Sequence, residues 1–476
     1  MLFNSYAFLI FLPVVFALYW SIGSKRLRIQ NALILTSSYV FYGWWDYRFL
    51  VLIFVSTITD FVIGLYIPRS NNEVRKKQLL WLSVCANIGL LGVFKYFNFF
   101  IESWLTLLGL FGYSASSSWT LNIILPVGIS FYTFQSLSYT IDVYRNKISP
   151  TSSFIDFASY VAFFPQLIAG PIERATNLLP QVLNKRKFNF EQGAQGMRLM
   201  LWGFFKKVVV ADQLAPIVDE IFFNYHSYDS GTLWIGAIYF SFQIYCDFSG
   251  YSDIAIGVSK LLGFELRSNF KFPYLSRSIG EFWRRWHISL STWFRDYLYI
   301  PLGGSKKSGI ITIRNVFLLF LISGLWHGAK ATFLFWGLFH AMIYIIAVLL
   351  KNNRKNIGTV IAYNHLFPSA VEVFQVVRTF LIITIGLVIF RSDSLLHSLE
   401  YLQQMFQITT LPQSFRGGFI SIFVVYIIEY IFRHDDRTIL YFKRQTSRRI
   451  LYLILLTAIM FNFFKPEQTT FIYFQF

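Results

Sequence analysis

Two histidines in unlike company carry the chemistry that this sequence offers. His327 closes the apolar run VFLLFLISGLWHGA, which is greasy enough to lie at membrane depth. His287 stands in EFWRRWHISLSTWFRDYLYIPLGGSKK, where Arg284, Arg285, Arg295 and Asp296 alternate with Trp283, Trp286, Trp293, Phe294 and Tyr297. A titratable side chain at membrane depth is costly to keep and is by default tied to function. Apolar burial holds an imidazole neutral, and a neutral imidazole is a general base. The bland alternative is a core histidine bonded to a backbone carbonyl. Gly324, Gly328 and Ala329 flank His327 and predict room for a substrate beside the ring. His287 reads either as a second polar group of the same site or as an interfacial residue. His340 is expected on another helical face than His327 and reads as core. His226, His365, His397 and His434 lie in or near loops and read as solvated.

Other polar residues admit two readings each. Arg284, Arg285, Lys306 and Lys307 suit a phosphorylated ligand on the cytoplasmic side, and equally anionic lipid headgroups. Asp247 and Asp253, in IYCDFSGYSDIAIG, fall too far apart around a helix axis to act as a carboxylate pair. They are expected to be buried hydrogen-bonding anchors of a helix broken near Gly250. The sequence holds no G-x-S-x-G, H-E-x-x-H, P-loop or dinucleotide fingerprint. The histidines lack metal-type spacing, and Cys85 and Cys246 sit apart in apolar runs, so no metal is expected.

The elements that must position these residues are membrane helices. The chain is 55% hydrophobic and 20% aromatic with only 14% charged residues, a composition that excludes a soluble globule. Its net charge of +18 sits in short loops between apolar runs, which suits cytoplasmic anchoring rather than nucleic acid. The basic loops at Lys25–Arg28, Arg69–Lys77, Lys185–Lys187 and Lys351–Lys355 would place both termini outside. The apolar runs predict roughly ten to thirteen membrane segments. YVAFFPQLIAGPIERA breaks helix at Pro165, Gly170 and Pro171, as backbone buried in protein can. Residues 260–310 predict short interfacial helices. One membrane domain is expected, with N-terminal helices over 1–118, a core over 119–345 and C-terminal helices with a tail over 346–476.

EFWRRWHISLSTWFRDYLYIPLGGS followed by SGLWHGA resembles the signature of the membrane-bound O-acyltransferase (MBOAT) family, in its bacterial alginate O-acetyltransferase-like branch. FFPQLIAGPIERA, IYCDFSGYSDIAIG and ISFYTFQSLSYTIDVYR are similar to that branch as well. The resemblance implies an all-α polytopic membrane protein, a ring of helices around a central funnel. It implies acetyl-CoA entering from the cytoplasm and His327 serving the transfer, with His287 at the second polar position. The tail KPEQTTFIYFQF is similar to the FIYF motif of a small partner in teichoic acid D-alanylation, where a tyrosine carries the acyl group; Tyr473 matches it.

The expected function is therefore O-acetylation across the bacterial inner membrane. Acetyl-CoA would dock at Arg284, Arg285, Lys306 and Lys307, and His327 would take a proton from an attacking hydroxyl, Tyr473 being the candidate. An SGNH-type partner outside would pass acetyl to a polysaccharide: alginate, cellulose, another exopolysaccharide or peptidoglycan. Membrane lipids are the remaining partners, and no nucleic acid is expected. A polymer or lipid transporter and a non-catalytic scaffold remain as rivals.

Overall fold

A computed structural model describes residues 1–23, 25–112, 125–306, 308–407, 412, 414–463 and 471–472. Every regular element among them is helical, and they cluster into two compact units.

The first unit holds Met1–Gly193 and Val258–Leu266. Its helices are α1 (Tyr6–Ile22), α2 (Leu27–Asp46), α3 (Leu50–Tyr66), α4 (Glu73–Leu91), α5 (Phe97–Leu110), α6 (Ile129–Tyr144), α7 (Phe154–Val161), α8 (Phe164–Leu167) and α9 (Ala175–Leu183). Side-chain caps set several starts. Ser5 accepts from the Phe8 amide, and Asn72 accepts from the Val74 and Arg75 amides. The Pro165–Pro171 stretch is irregular as expected, and every residue from 156 to 173 is buried. Its backbone finds partners in flanking helices: Ser38 accepts from the Phe164 amide at 3.0 Å, and Gln135 donates to the Tyr160 carbonyl at 2.6 Å. Those bonds make buried irregular backbone tolerable.

The second unit holds Ala194–Gly257 and Arg267–Phe476. It takes most of α10 (Phe190–Phe204), a π-helical turn at Phe205–Ala211, α11 (Asp212–Phe223) and most of α12 (Ser230–Leu261). The short α13 (Ile279–Arg285) and α14 (Ile288–Phe294) come next, then α15 (Gly309–His327), α16 (Ala331–Leu349) and α17 (Ala370–Arg391). The unit ends with α18 (Leu395–Met405), α19 (Phe419–Ile431) and α20 (Gln445–Phe463).

Two expectations change here. The helix around Gly250 is unbroken: α12 runs 32 residues. Gly250 serves close packing instead, since a Cβ there would stand 2.8 Å from the Gly203 carbonyl oxygen. The irregularity falls on the neighbouring π turn.

Six helical stretches among the described residues are long and apolar enough to cross a membrane, fewer than the ten to thirteen expected. Two of them, Leu27–Tyr66 and Glu73–Leu110, contain two α-helices each, and the first merges two apolar runs that read as separate. Other apolar runs became interior helices. α12 carries Asp247, Asp253 and Lys260, and residues 239–252 are all buried in protein. The spanning helices show the reverse pattern, with Val51, Trp81 and Phe461 exposed, as a lipid-facing surface requires.

Candidate active site

His327 is the last residue of α15, and the chain reverses at Gly328–Lys330 into α16. The two helices pack backbone to backbone because glycines meet there. A Cβ on Gly337 would stand 2.5 Å from the Phe320 carbonyl oxygen, and one on Gly328 would stand 2.5 Å from the Phe333 ring. The Phe333 carbonyl likewise fills the space over Gly324. Gly324 and Gly328 therefore let α16 approach, and do not leave the substrate room that the sequence suggested.

The His327 ring is 6% exposed and stands edge-on to Trp336 and Phe390, at 5.0 Å from each centroid. His340, from the middle of α16, is 4.9 Å from Trp336 and 5.1 Å from Trp283. His327, His340, Trp283, Trp286, Trp336 and Phe390 help to line one cavity of about 20 Å³, room for roughly one water. Among the described residues, His340 Nδ1, Trp283 Nε1 and Trp336 Nε1 have no hydrogen-bond partner. His340 is buried, as the core reading expected, but it shares this cavity with His327, which that reading did not foresee. The face argument assumed one continuous helix, whereas the reversal folds α16 back along α15.

His287 lies between α13 and α14 with left-handed backbone, φ 43°. The strain is held by Asn269, whose backbone carbonyl accepts from the Ile288 amide at 2.9 Å. Asn269 Oδ1 also accepts from Ser289 Oγ at 3.0 Å and lies 3.0 Å from His287 Nδ1. Asn269 Nδ2 donates to Ser252 Oγ, so its Oδ1 faces donors and His287 Nδ1 carries the proton. The lone pair is then on Nε2. Burial lowers this imidazole's pKa to about 3, so it is neutral at physiological pH.

One indole separates the two expected histidines. Trp326 stands 5.7 Å from His287 and 5.0 Å from His327. The rings of His340, Trp336, His327, Trp326 and His287 thus form a continuous ladder. Its far end meets Phe248, 4.7 Å from His287.

The basic shelf is largely engaged within the protein. Arg284 donates to the Asn353 and Lys355 carbonyls at 2.6 Å each. Arg285 donates to Glu281 at 2.8 Å and to the Thr359 and Lys271 carbonyls at 3.1 Å each. Both arginines hold the 351–360 segment over α13. Lys306 is exposed, while Lys307 and Tyr473 lie outside the described residues. No group of three or more His, Cys, Asp or Glu able to hold a metal occurs among the described residues.

Comparison with known proteins defines the class of this multi-pass helical membrane protein as a membrane acyltransferase. The chain belongs to the membrane-bound O-acyltransferase family, whose model matches residues 74–390. It is 43% identical over 412 residues to the probable alginate O-acetylase AlgI of Pseudomonas aeruginosa, covering 86% of this chain and 76% of that protein. It is 35% identical over 434 residues to the peptidoglycan O-acetyltransferase of Helicobacter pylori, covering 85% and 80%. It is 28% identical over 236 residues to the teichoic acid D-alanyltransferase of Bacillus subtilis, covering 47% and 58%.

Proposed function

We propose that this chain is an O-acetyltransferase of the bacterial inner membrane that moves acetyl groups from cytoplasmic acetyl-CoA towards an extracytoplasmic polysaccharide. The observation that carries the proposal is the shared cavity of His327 and His340, walled by indoles, in a chain of this family. A hydroxyl oxygen attacks the thioester carbonyl carbon while His327 takes the hydroxyl proton. The carbon–sulfur bond then breaks, and the imidazolium returns the proton to the departing thiolate. The Nε1–H groups of Trp283 and Trp336 are the donors available to the developing oxyanion. His287, neutral and fixed by Asn269, orients or polarises the acceptor. The phosphates of coenzyme A meet Lys306 and Lys307 first, with Arg284 and Arg285 shaping the shelf behind them.

The first acceptor in this reading is the Tyr473 phenol. An SGNH-type partner takes acetyl from it and passes it to the polymer. The relative named as an alginate O-acetylase favours an exopolysaccharide, and the relative named as a peptidoglycan O-acetyltransferase supports peptidoglycan as the second reading. Labelled acetyl-CoA given to the purified protein tests the scheme. Label on the wild-type chain, absent in His327→Ala and Tyr473→Phe, is the expected result. Label that survives Tyr473→Phe removes the relay and leaves the enzyme. No turnover with partner and acceptor present, or acetylation that survives His327→Ala, returns the chain to the transporter or scaffold class.

A further inference from the structure

A buried ionic cluster in the second unit has no part in the chemistry above. The π turn at Phe205–Ala211 lets two consecutive lysines both reach α12. Lys206 Nζ lies 2.7 Å from Asp253 Oδ2 and donates to Ser249 Oγ at 2.8 Å. Lys207 Nζ lies 2.8 Å from Asp212 Oδ1 and 2.8 Å from Asp247 Oδ1. The side chains of Lys207 and Asp247 are each 4% exposed. A buried ion pair is weak evidence for stability, because well-packed apolar residues often do as well. The cluster is therefore open to another use.

Asp247 has one. Its second oxygen, Oδ2, accepts the backbone N–H of Ile472 at 2.8 Å. Ile472 and Phe471 are 2% and 1% exposed. The Phe471 ring packs 4.9 Å from Tyr251 and 6.1 Å from Phe248, both on α12. Phe248 is also the ring against His287. The segment is thus held one ring away from the histidine ladder, by a charge-assisted bond to main chain and an aromatic seat. A carboxylate that grips a backbone amide is indifferent to the side chain it holds. It fixes the register of the segment and so the starting point of whatever residue follows.

We propose that Asp247, oriented by Lys207, is a positioning residue that docks Phe471–Ile472 against Phe248 and Tyr251 of α12, one ring from His287, and so fixes the register of the tail on which the relay depends. The inference rests on the relay reading above. It adds the device that makes the relay geometrically defined.

The experiment uses the full chain in lipid nanodiscs with two readouts: hydrogen exchange of the peptide spanning 464–476, and initial rates of label transfer against acetyl-CoA concentration. Ile472→Pro removes the donated N–H and leaves the Lys207–Asp247–Asp212 cluster whole. Ile472→Val keeps the N–H and most of the side chain. Expected is a protected peptide in wild type and Ile472→Val, with protection lost in Ile472→Pro. Transfer at saturating acetyl-CoA should fall at least ~10-fold in the proline variant, with the half-saturating concentration within ~2-fold of wild type, as loss of a transition-state-only contribution requires. Ile472→Val should stay within ~2-fold in both. Asp247→Asn, which keeps an oxygen for the amide, should fall between them.

A wild-type peptide that exchanges as fast as a free one overturns the docking. Wild-type turnover in Ile472→Pro with the peptide released overturns the positioning role. The relay is read separately through Tyr473→Phe. Full transfer in that variant beside loss in Ile472→Pro sinks the relay and keeps the dock. Loss in Tyr473→Phe with the peptide still protected supports both.

Discussion

Each unit buries a polar site, and the two are built on opposite terms. In the first unit Asp60 is fully buried, and short side chains surround it. Ser83 donates to it at 2.5 Å and Asn87 at 2.9 Å, while Ser56 donates to Asn87 Oδ1 at 2.7 Å. Ser136 donates to the same oxygen at 3.2 Å. Every partner there is a small hydroxyl or amide on α3, α4 or α6, helices that then cannot slide or rotate past one another. At the candidate active site of the second unit the buried polar groups are imidazoles, and their neighbours are mainly ring edges. A saturated network locks helices together, whereas a basic nitrogen among indoles keeps capacity for an incoming group. Depth alone therefore does not mark a functional site. The chemistry of the surrounding groups does.

Substitutions can break or sharpen that contrast. The largest effect should come from His327→Ala, which removes the proposed base: acetyl transfer should fall ~10³-fold while the unfolding midpoint stays near wild type. A labelled acetyl-CoA assay and a thermal melt check the two halves. His340→Phe keeps a ring of similar outline and deletes the nitrogens. A ~10- to 100-fold loss in turnover is expected, and wild-type turnover would return His340 to the core. Asp60→Ala should do the reverse, lowering stability by about 2 kcal/mol while turnover per folded molecule is unchanged. Unfolding in detergent read beside activity decides it; a turnover loss without destabilisation would dissolve the contrast.

The last effect is one of pH, at most ~1.4 kcal/mol for each unit of pH. Burial lowers the His287 pKa from the ordinary 6.5 to about 3. Below 6.5 the unfolded chain binds a proton that the folded chain refuses. Stability should therefore drop as pH falls from 6.5 towards 3, by at most ~1.4 kcal/mol per pH unit from this residue. His287→Asn should flatten that slope, and an unchanged slope would show that His287 does not set it.

How much of this was legible in the sequence depends on distance along the chain. The irregular Pro165–Pro171 backbone could be read because proline and glycine act locally. His327 and His287 stood out from their composition and from a long, ordered motif, and the structure buries both. The place of His340 in the same cavity could not be read, because its relation to His327 runs through a reversal that no helical wheel contains. The glycines beside His327 were misread for a similar reason: small size permits either a substrate or a neighbouring backbone, and only the packing partner distinguishes them. Asp247 was read correctly as a buried anchor. What it holds, Lys207 and Ile472, lies 40 and 225 positions away, beyond any local pattern. The apolar runs located the membrane-competent helices by composition alone, while the burial of α12 inside the protein depends on contacts that no single run contains.

The π turn at Phe205–Ala211 has an evolutionary consequence. A single residue removed there would restore α-helical winding and turn one flank about 100° against the other. One lysine of the adjacent pair would swing away from its carboxylate, leaving a buried charge unmatched. Length, and not only residue identity, is under constraint in this stretch. This helix interior cannot gain or lose a residue without a compensating change on α12.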